Sequence, residues 1–145
     1  VGGELAVSGP KKAFFYARPS QNRYLREADG AATLTYDVVD QNVGNAYSAS
    51  TFRFTAPQDG FYQFNAQFFG GNGTTSSERG AADLIITNHP QNPRFGREND
   101  ATGFMCVGVS WSGFMSAGDQ AYLRRFTGVL HTAAGFSFFS GYLIS

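Results

Sequence analysis

Between residues 62 and 68 the chain alternates strictly between apolar and polar side chains. The apolar positions are Tyr62, Phe64, Ala66 and Phe68, and the polar positions between them are Gln63, Asn65 and Gln67. A repeat of two residues is typical of a strand with one buried face. The preceding segment APQDG (56–60) predicts a tight turn, because Pro57 fixes φ and Gly60 tolerates a positive φ.

Other short aromatic or β-branched runs, bounded by turn residues, predict further strands. They cover residues 12–18, 33–39, 51–55, 104–111, 120–127 and 136–144, with a strand at 84–86 within residues 81–88 and one short strand within residues 19–30. The polar segment NHPQNPRFGREND (88–100) predicts a long loop, and residues 131–135 predict a turn. No segment predicts a helix of two turns or more, so the sequence indicates an all-β fold.

Three of the predicted strands carry apolar side chains on both faces: the first, the one beginning at Phe104 and the last. A strand that is apolar on both faces must be covered on both, and the second sheet of a sandwich covers only one. We therefore expect one sheet to be an oligomer interface; the alternative is scattered surface aromatic side chains. The residues assigned to this interface or to the core behind it are Phe14, Phe15, Tyr16, Phe104, Met105, Phe136, Phe138, Phe139 and Tyr142.

Composition narrows the class of protein. The 145 residues, 42% hydrophobic and 16% aromatic with 18 Gly, fit one β-rich domain spanning residues 1–145. Eleven basic and eleven acidic residues cancel, which gives no support to a nucleic-acid or anionic-membrane partner. No run approaches the ~18 apolar residues of a membrane span. Cys106 is the only cysteine, and its apolar neighbours predict a buried, inert thiol.

Signatures of catalysis are missing from the sequence. Ser110 lacks the Gly two residues later that a nucleophile elbow requires, because Ser112 occupies that position. His89 and His131 are far apart in the chain, and neither a phosphate-binding loop nor a HExxH zinc motif occurs. The sequence therefore predicts a protein that is not an enzyme.

The polar loop 88–100 carries the side chains that hold sugars: amides and guanidinium groups for hydroxyls, and an aromatic ring for the apolar face of a pyranose. The candidate ligand-binding residues are His89, Gln91, Asn92, Arg94, Phe95, Arg97, Arg124 and His131. Arg124, Arg125 and His131 lie around another strand end and either supplement this loop or bind sialate or phosphate. Arg124 and Arg125 face opposite ways on a strand, so at most one serves a given site. An ordinary exposed loop is the alternative.

Seven positions together resemble the signature of the complement C1q globular-head domain. They are Tyr36, Asn42, Tyr47, Phe54, Gly60, Tyr62 and Phe64. The segments FYAR (15–18), GDQ (118–120) and FSGYLI (139–144) resemble the first strand, a turn and the closing strand of that family. Tyr36 and Ala66 depart from the usual Phe and aromatic residue. The resemblance covers nearly the whole chain and implies a jelly-roll β-sandwich of about ten antiparallel strands, of the C1q and tumour-necrosis-factor (TNF) type.

The resemblance also implies a homotrimer packed through one sheet, since C1q-like heads are three-fold trimers. It implies a calcium site in the connection before the strand at Phe104, where Glu98, Asn99 and Asp100 supply oxygen ligands. An ordinary solvated loop is the alternative for these three residues.

The function we expect is that of a secreted, non-enzymatic lectin that recognises carbohydrate or microbial surface ligands in innate immunity. The acceptor triplet Asn72-Gly73-Thr74 is consistent with glycosylation and secretion. Two alternatives remain: a protein ligand for a cell-surface receptor, and a structural trimerisation module. Fold alone does not separate them, because function in such folds lies in the loops.

Overall fold

The computed structural model describes residues 12–25, 27–70, 80–97 and 105–145. Within these ranges the chain forms twelve strands, which pair antiparallel, and a 3-10 helix at Glu27–Asp29. The strands are β1 (Phe14–Arg18), β2 (Arg23–Leu25), β3 (Val38–Val43), β4 (Tyr47–Ser48), β5 (Arg53–Thr55), β6 (Gly60–Gly70), β7 (Gly80–Ile86), β8 (Arg94–Arg97), β9 (Met105–Met115), β10 (Gln120–Gly128), β11 (Leu130–Thr132) and β12 (Phe138–Leu143).

Ten of these strands form two five-stranded sheets that enclose the core. The first sheet has the order β3-β1-β12-β6-β9, and the second sheet has the order β4-β5-β10-β7-β8. Strands β2 and β11 form a small separate ribbon. Phe15 and Phe64 from the first sheet meet Phe54 from the second, with ring centres 5.3 Å and 5.2 Å from that of Phe54. The predicted all-β jelly roll of about ten antiparallel strands is confirmed.

The alternation in β6 places its apolar side chains in this core. Tyr62, Phe64 and Phe68 are fully buried, whereas the amide side chains between them lie on the outer face of the first sheet. Burial of one such aromatic side chain stabilises the fold by roughly 1.5–3 kcal/mol. Strand β6 pairs with β12 on one side and with β9 on the other, and its inward aromatic side chains pack between the two sheets.

Hydrogen bonds explain the spacing of the C1q-like signature. Asn42 Nδ2 donates to the Tyr47 carbonyl at 2.8 Å, and the Tyr47 N–H donates to Asn42 Oδ1 at 3.1 Å. The Tyr47 hydroxyl donates to the Tyr36 carbonyl at 2.6 Å, and the Tyr36 hydroxyl donates to the Gln67 carbonyl at 3.0 Å. Burial raises the pKa of both tyrosines, which keeps these hydroxyls protonated. At Gly60 a Cβ atom would lie 2.7 Å from the Ser145 carbonyl oxygen, so no larger residue fits.

The strand predicted over residues 33–39 begins later, at Val38. Residues 33 and 34 instead bond to the second sheet, through a bridge between Thr33 and Arg124 and a hydrogen bond from the Leu34 N–H to the Leu123 carbonyl. This segment crosses from one sheet to the other, and its alternation arises because Leu34 and Tyr36 are buried on the way.

The loop predicted over residues 88–100 contains a strand, β8, at Arg94–Arg97. Phe95 is buried against Phe68, with ring centres 5.3 Å apart. Gly96 permits the close pairing with β7, because a Cβ atom there would lie 2.5 Å from Ala81. Likewise, the turn predicted over residues 131–135 begins with β11, which pairs with β2.

The prediction that Cys106 is buried is wrong. Its thiol is exposed, and its register partner on β6 is Phe69. The reason is the phase of β9: Val107, Val109 and Trp111 pack against the core, so the alternate positions that include Cys106 face outward.

Candidate ligand-binding site

A surface cavity of about 440 Å³ lies at the edge of the sandwich where β8 and β9 come together. The connection between β7 and β8 forms one wall, and a single aromatic side chain from β9 forms the other. The lining residues are His89, Gln91, Asn92, Pro93 and Trp111. Three of the predicted ligand-binding residues therefore meet in one place, together with the only tryptophan of the chain.

Local hydrogen bonds hold this connection in place. Asn88 takes a positive φ of 61°, which asparagine tolerates better than most residues, and its Nδ2 donates to Asp119 Oδ1 at 2.8 Å. The Ile86 N–H donates to Asn92 Oδ1 at 2.8 Å, and His89 Nδ1 lies 2.6 Å from the Gln91 carbonyl oxygen. The cavity wall is thus fixed by the chain itself, which lowers the entropic cost of binding a ligand.

The aromatic groups of the cavity are also fixed relative to each other. The imidazole ring of His89 meets the Trp111 indole edge to face, with ring centres 5.3 Å apart and planes at 89°. Trp111 stacks behind on Phe64 of the core, at 6.0 Å. An indole face, an imidazole and two amides without a charged side chain suit a neutral polyhydroxylated ligand.

Arg94 and Arg124, which were predicted to bind ligand, belong to a different cluster. Both lie on the outer face of the second sheet, beside the buried carboxylate of Asp83. Arg94 binds that carboxylate in a fork, with Nε–Oδ1 at 2.7 Å and Nη2–Oδ2 at 3.1 Å, whereas Arg124 Nη2 lies 3.6 Å from Oδ2. The Arg94 guanidinium also lies over the Phe126 ring at 3.2 Å. These contacts give both arginines a structural partner outside the cavity.

Of the remaining predicted ligand-binding residues, one was predicted wrongly and two stay predictions. The prediction that Phe95 offers a ring to a ligand is wrong, because Phe95 is only 5% exposed and packs in the core. Arg97 lies in β8 and the backbone of His131 pairs with Tyr24, but the side chains of Arg97 and His131 lie outside what the structure describes. Arg124 and Arg125 do face opposite ways, and Arg125 is buried.

The predicted calcium ligands Glu98, Asn99 and Asp100 and the predicted glycosylation site Asn72 lie outside the described residues. Among the residues that are described, no three His, Cys, Asp or Glu side chains lie close enough to hold a metal ion. Calcium binding stays a prediction. A thermal melt with and without excess chelator tests it, and an unchanged midpoint would contradict a structural ion.

The residues predicted for an oligomer interface divide between two places. Phe15 and Phe139 are core residues, whereas Phe14, Tyr16, Phe138 and Tyr142 lie on the outer face of the first sheet. Phe136 is 60% exposed and packs beside Phe69 on that face. Phe104 and the side chain of Met105 lie outside the described part of the chain.

The sequence prediction missed a further pair on the outer face of the first sheet. Phe61 and Phe114 are 53% and 51% exposed, and their rings meet edge to face at 5.7 Å. Their opposed positions in the β6–β9 register bring them together. The pair could have been predicted from sequence, because Phe61 is out of phase with the buried residues of β6.

The sequence matches the C1q domain family over residues 13–144. The chain belongs to the C1q domain family. This family has a non-enzymatic recognition and ligand fold, so the prediction that the protein is not an enzyme is confirmed. C1q domain proteins are typically extracellular. The only described helix is the 3-10 turn at Glu27–Asp29, and no described helix has the length and apolar character to cross a bilayer.

Solved structures show the same fold at low sequence identity. The globular domain of zebrafish complement 1qA is 19% identical, with a TM-score of 0.69, and the match covers 93% of this chain and 98% of that one. Murine APRIL at pH 5.0 is 9% identical, with a TM-score of 0.69 and coverage of 92% and 100%. Eiger TNF from S. frugiperda is 12% identical, with a TM-score of 0.60 and coverage of 92% of both chains.

Proposed function

We propose that this protein is a secreted homotrimeric lectin of innate immunity that binds carbohydrate or microbial surface ligands in the cavity lined by Trp111. The observation that carries the proposal is the cavity itself, in which an indole ring, an imidazole and two amides converge on a fixed wall. Sugar rings bind to such groups through their apolar C–H face and their hydroxyls.

Trimerisation would make a weak site effective. One shallow cavity gives low affinity, but three copies presented together raise the apparent affinity without any new contact. The outer face of the first sheet supports this assembly, because its exposed aromatic pairs would be covered by neighbouring copies.

The single tryptophan makes a direct test possible, since the emission of Trp111 reports on the cavity alone. A glycan array identifies the sugar, and titration of that sugar should then change the fluorescence in a saturable way. Replacing Gln91 by Ala should weaken binding about fivefold to tenfold, the value of one lost hydrogen bond. The matched control is Gln58→Ala, in the exposed turn before β6, which should bind as the wild type does. An array on which no sugar binds would overturn the proposal.

The second candidate is a protein ligand for a cell-surface receptor. The observation in its favour is the likeness of the fold to murine APRIL and to Eiger TNF. This candidate would be supported if no sugar on the glycan array binds and the labelled trimer binds saturably to cells. A trimer that binds neither sugars nor cells would instead support a structural trimerisation module.

A further inference from the structure

A second cavity, of about 320 Å³, lies on the opposite edge of the sandwich from Trp111, beside β3 and β4. Three segments that are distant in sequence form it: the connection after β1, the segment before β3 and the turn between β4 and β5. The lining residues are Ser20, Gln21, Asn22, Arg23, Thr35, Asp37 and Phe52. They include one carboxylate, one guanidinium, two amides, two hydroxyls and one aromatic ring.

The polar groups of this cavity are held in position before any ligand binds. Asp37 Oδ1 accepts the Ser20 N–H at 2.9 Å, and Oδ2 accepts the Ser20 hydroxyl at 2.7 Å. Arg23 Nη1 donates to Thr35 Oγ1 at 3.1 Å. Partial burial of Asp37 opposes its ionisation, but the hydrogen bonds from Ser20 outweigh this effect and lower the pKa of the carboxyl group. Asp37 is therefore a charged acceptor at neutral pH.

The connection that carries these groups is itself anchored. Asn22 Oδ1 accepts the Ala134 N–H at 2.9 Å, which orients the amide. Strand β2 follows at once, pairs with β11 and buries Leu25 in the core. A loop fixed at this many points presents its side chains at little entropic cost.

Phe52 is the unusual residue of the cavity. It has a positive φ of 61°, a left-handed conformation that is unfavourable for a bulky side chain. The two other residues other than glycine with a positive φ in the described chain are Asn45 and Asn88, which tolerate this conformation. The Phe52 N–H closes its turn on the Ser48 carbonyl at 2.8 Å, a bond that asparagine would make equally well.

Core packing does not account for the choice of phenylalanine at position 52. The side chain is only partly buried, and Phe52 is not among the partly buried hydrophobic residues that pack against the core. Strained residues that the fold does not need are found at ligand sites. The strained residue is also the one that brings an aromatic ring to the wall of this polar cavity.

We infer that this cavity is a second binding site, for a neutral saccharide ring. Asp37 and Arg23 bring the charge of the lining to zero, so neither an anion nor a cation is favoured. A neutral sugar can donate hydroxyls to Asp37, accept from Arg23 and the amides, and lay its C–H face on Phe52. This site goes beyond the proposed function, which rests on the cavity at Trp111, and each protomer would then bind two sugars on opposite edges.

The test is a titration of the whole protein with methyl α-mannoside, methyl β-galactoside and N-acetylglucosamine, followed by the backbone amide NMR signals. At least one sugar should shift the signals of residues 20–23 and 35–37 saturably. Phe52→Asn and Asp37→Asn should each weaken this binding by about tenfold. Phe52→Asn should also keep or raise the melting temperature, because asparagine relieves the strain. Trp111→Phe serves as the control that should leave these shifts unchanged.

Two results would overturn the inference. One is the absence of saturable shifts at residues 20–23 and 35–37 with all three sugars. The other is a Phe52→Asn variant that melts lower and binds as the wild type does, since Phe52 would then be a packing residue. Binding at the Trp111 cavity is read separately from tryptophan fluorescence, so failure of either site is distinguishable from failure of the other.

Discussion

The two outer faces of the sandwich both carry aromatic side chains but differ in what covers them. On the first sheet, the outward positions of β6, β9 and β12 carry aromatic, amide, hydroxyl and thiol side chains and, in the described residues, no charge. Phe61 and Phe114 meet at one end of that face. Nearer the other end, Tyr16 stacks on Phe138, with ring centres 5.6 Å apart. Gln63 Nε2 donates to Ser110 Oγ at 2.7 Å between them.

On the second sheet, guanidinium groups cover the aromatic rings. Arg53 lies over Tyr122 at 3.9 Å, and Arg94 lies over Phe126 at 3.2 Å. Arg94 is fixed in turn by the buried carboxylate of Asp83. Cation–π contacts and the ion pair present charged groups to water above the rings.

The difference indicates which face a trimer interface would use. A ring beneath a guanidinium has a charged group of its own chain over one face, even where, as at Phe126, 48% of the side chain stays exposed. A ring without such a contact gains roughly 1.5–3 kcal/mol only when another surface covers it. The comparison therefore favours the first sheet as the proposed trimer interface.

The largest expected effect is on assembly. Tyr142→Glu places a carboxylate on the outer face of the first sheet, and burying that charge against a neighbouring copy is unfavourable. Light scattering should give three times the chain mass for the wild type and the single chain mass for the variant. Phe126→Glu is the matched control, since Phe126 is 48% exposed on the second sheet, and it should stay trimeric. Loss of the trimer in the control alone would reverse the assignment.

A smaller effect is expected on stability from the second sheet. Arg94→Ala removes the fork that neutralises the buried Asp83 carboxylate, and it should lower the free energy of unfolding by about 2–3 kcal/mol. Denaturant unfolding at equal protomer concentration measures this, because the stability of an oligomer depends on concentration. Arg94→Lys keeps the positive charge but cannot form the two-pronged contact, so its free energy of unfolding should lie between those of the wild type and Arg94→Ala. An Arg94→Ala protein that unfolds like the wild type would show that Asp83 needs no such partner.

A strand could be predicted correctly from the sequence where its polar positions show which side chains face outward. In β6 the polar positions mark the outer face, so both the buried set and the signature residues follow from the sequence. In β9 the run FMCV is apolar at every position, so nothing marks the inward face, and Cys106 was placed on the wrong side. The prediction for Phe95 was wrong for a related reason, because a strand of four residues within a polar segment is too short to show an alternating pattern.

The binding cavities were harder to predict, because each combines residues that are distant in sequence. His89, Gln91 and Asn92 could be proposed as a polar loop, but Trp111 joins them only because β9 is the edge strand next to β8. The cavity at Phe52 draws on three separate segments, and a positive φ at a phenylalanine has no sequence signal.

The exposed thiol of Cys106 provides a chemical probe of whether the outer face of the first sheet is covered. Cys106 lies on the outer face of the first sheet, opposite Phe69 in register. If that face is covered in the trimer, a thiol reagent should react on the order of tenfold more slowly with the wild type than with monomeric Tyr142→Glu, because labelling then requires opening of the interface. Equal rates in the two proteins would place the thiol, and the face around it, in solvent.

The smallest effect concerns the ring that Arg53 covers. Arg53→Gln removes the cation above Tyr122 while a polar side chain remains near Gln120, so the free energy of unfolding should fall by about 0.5–1 kcal/mol. Arg53→Lys retains a cation and should recover part of this loss. The assembly should stay trimeric in both variants, because uncovering one ring does not create a face as large as that of the first sheet. Higher oligomers in Arg53→Gln would mean instead that the guanidinium groups are what keep the second sheet from pairing with other copies.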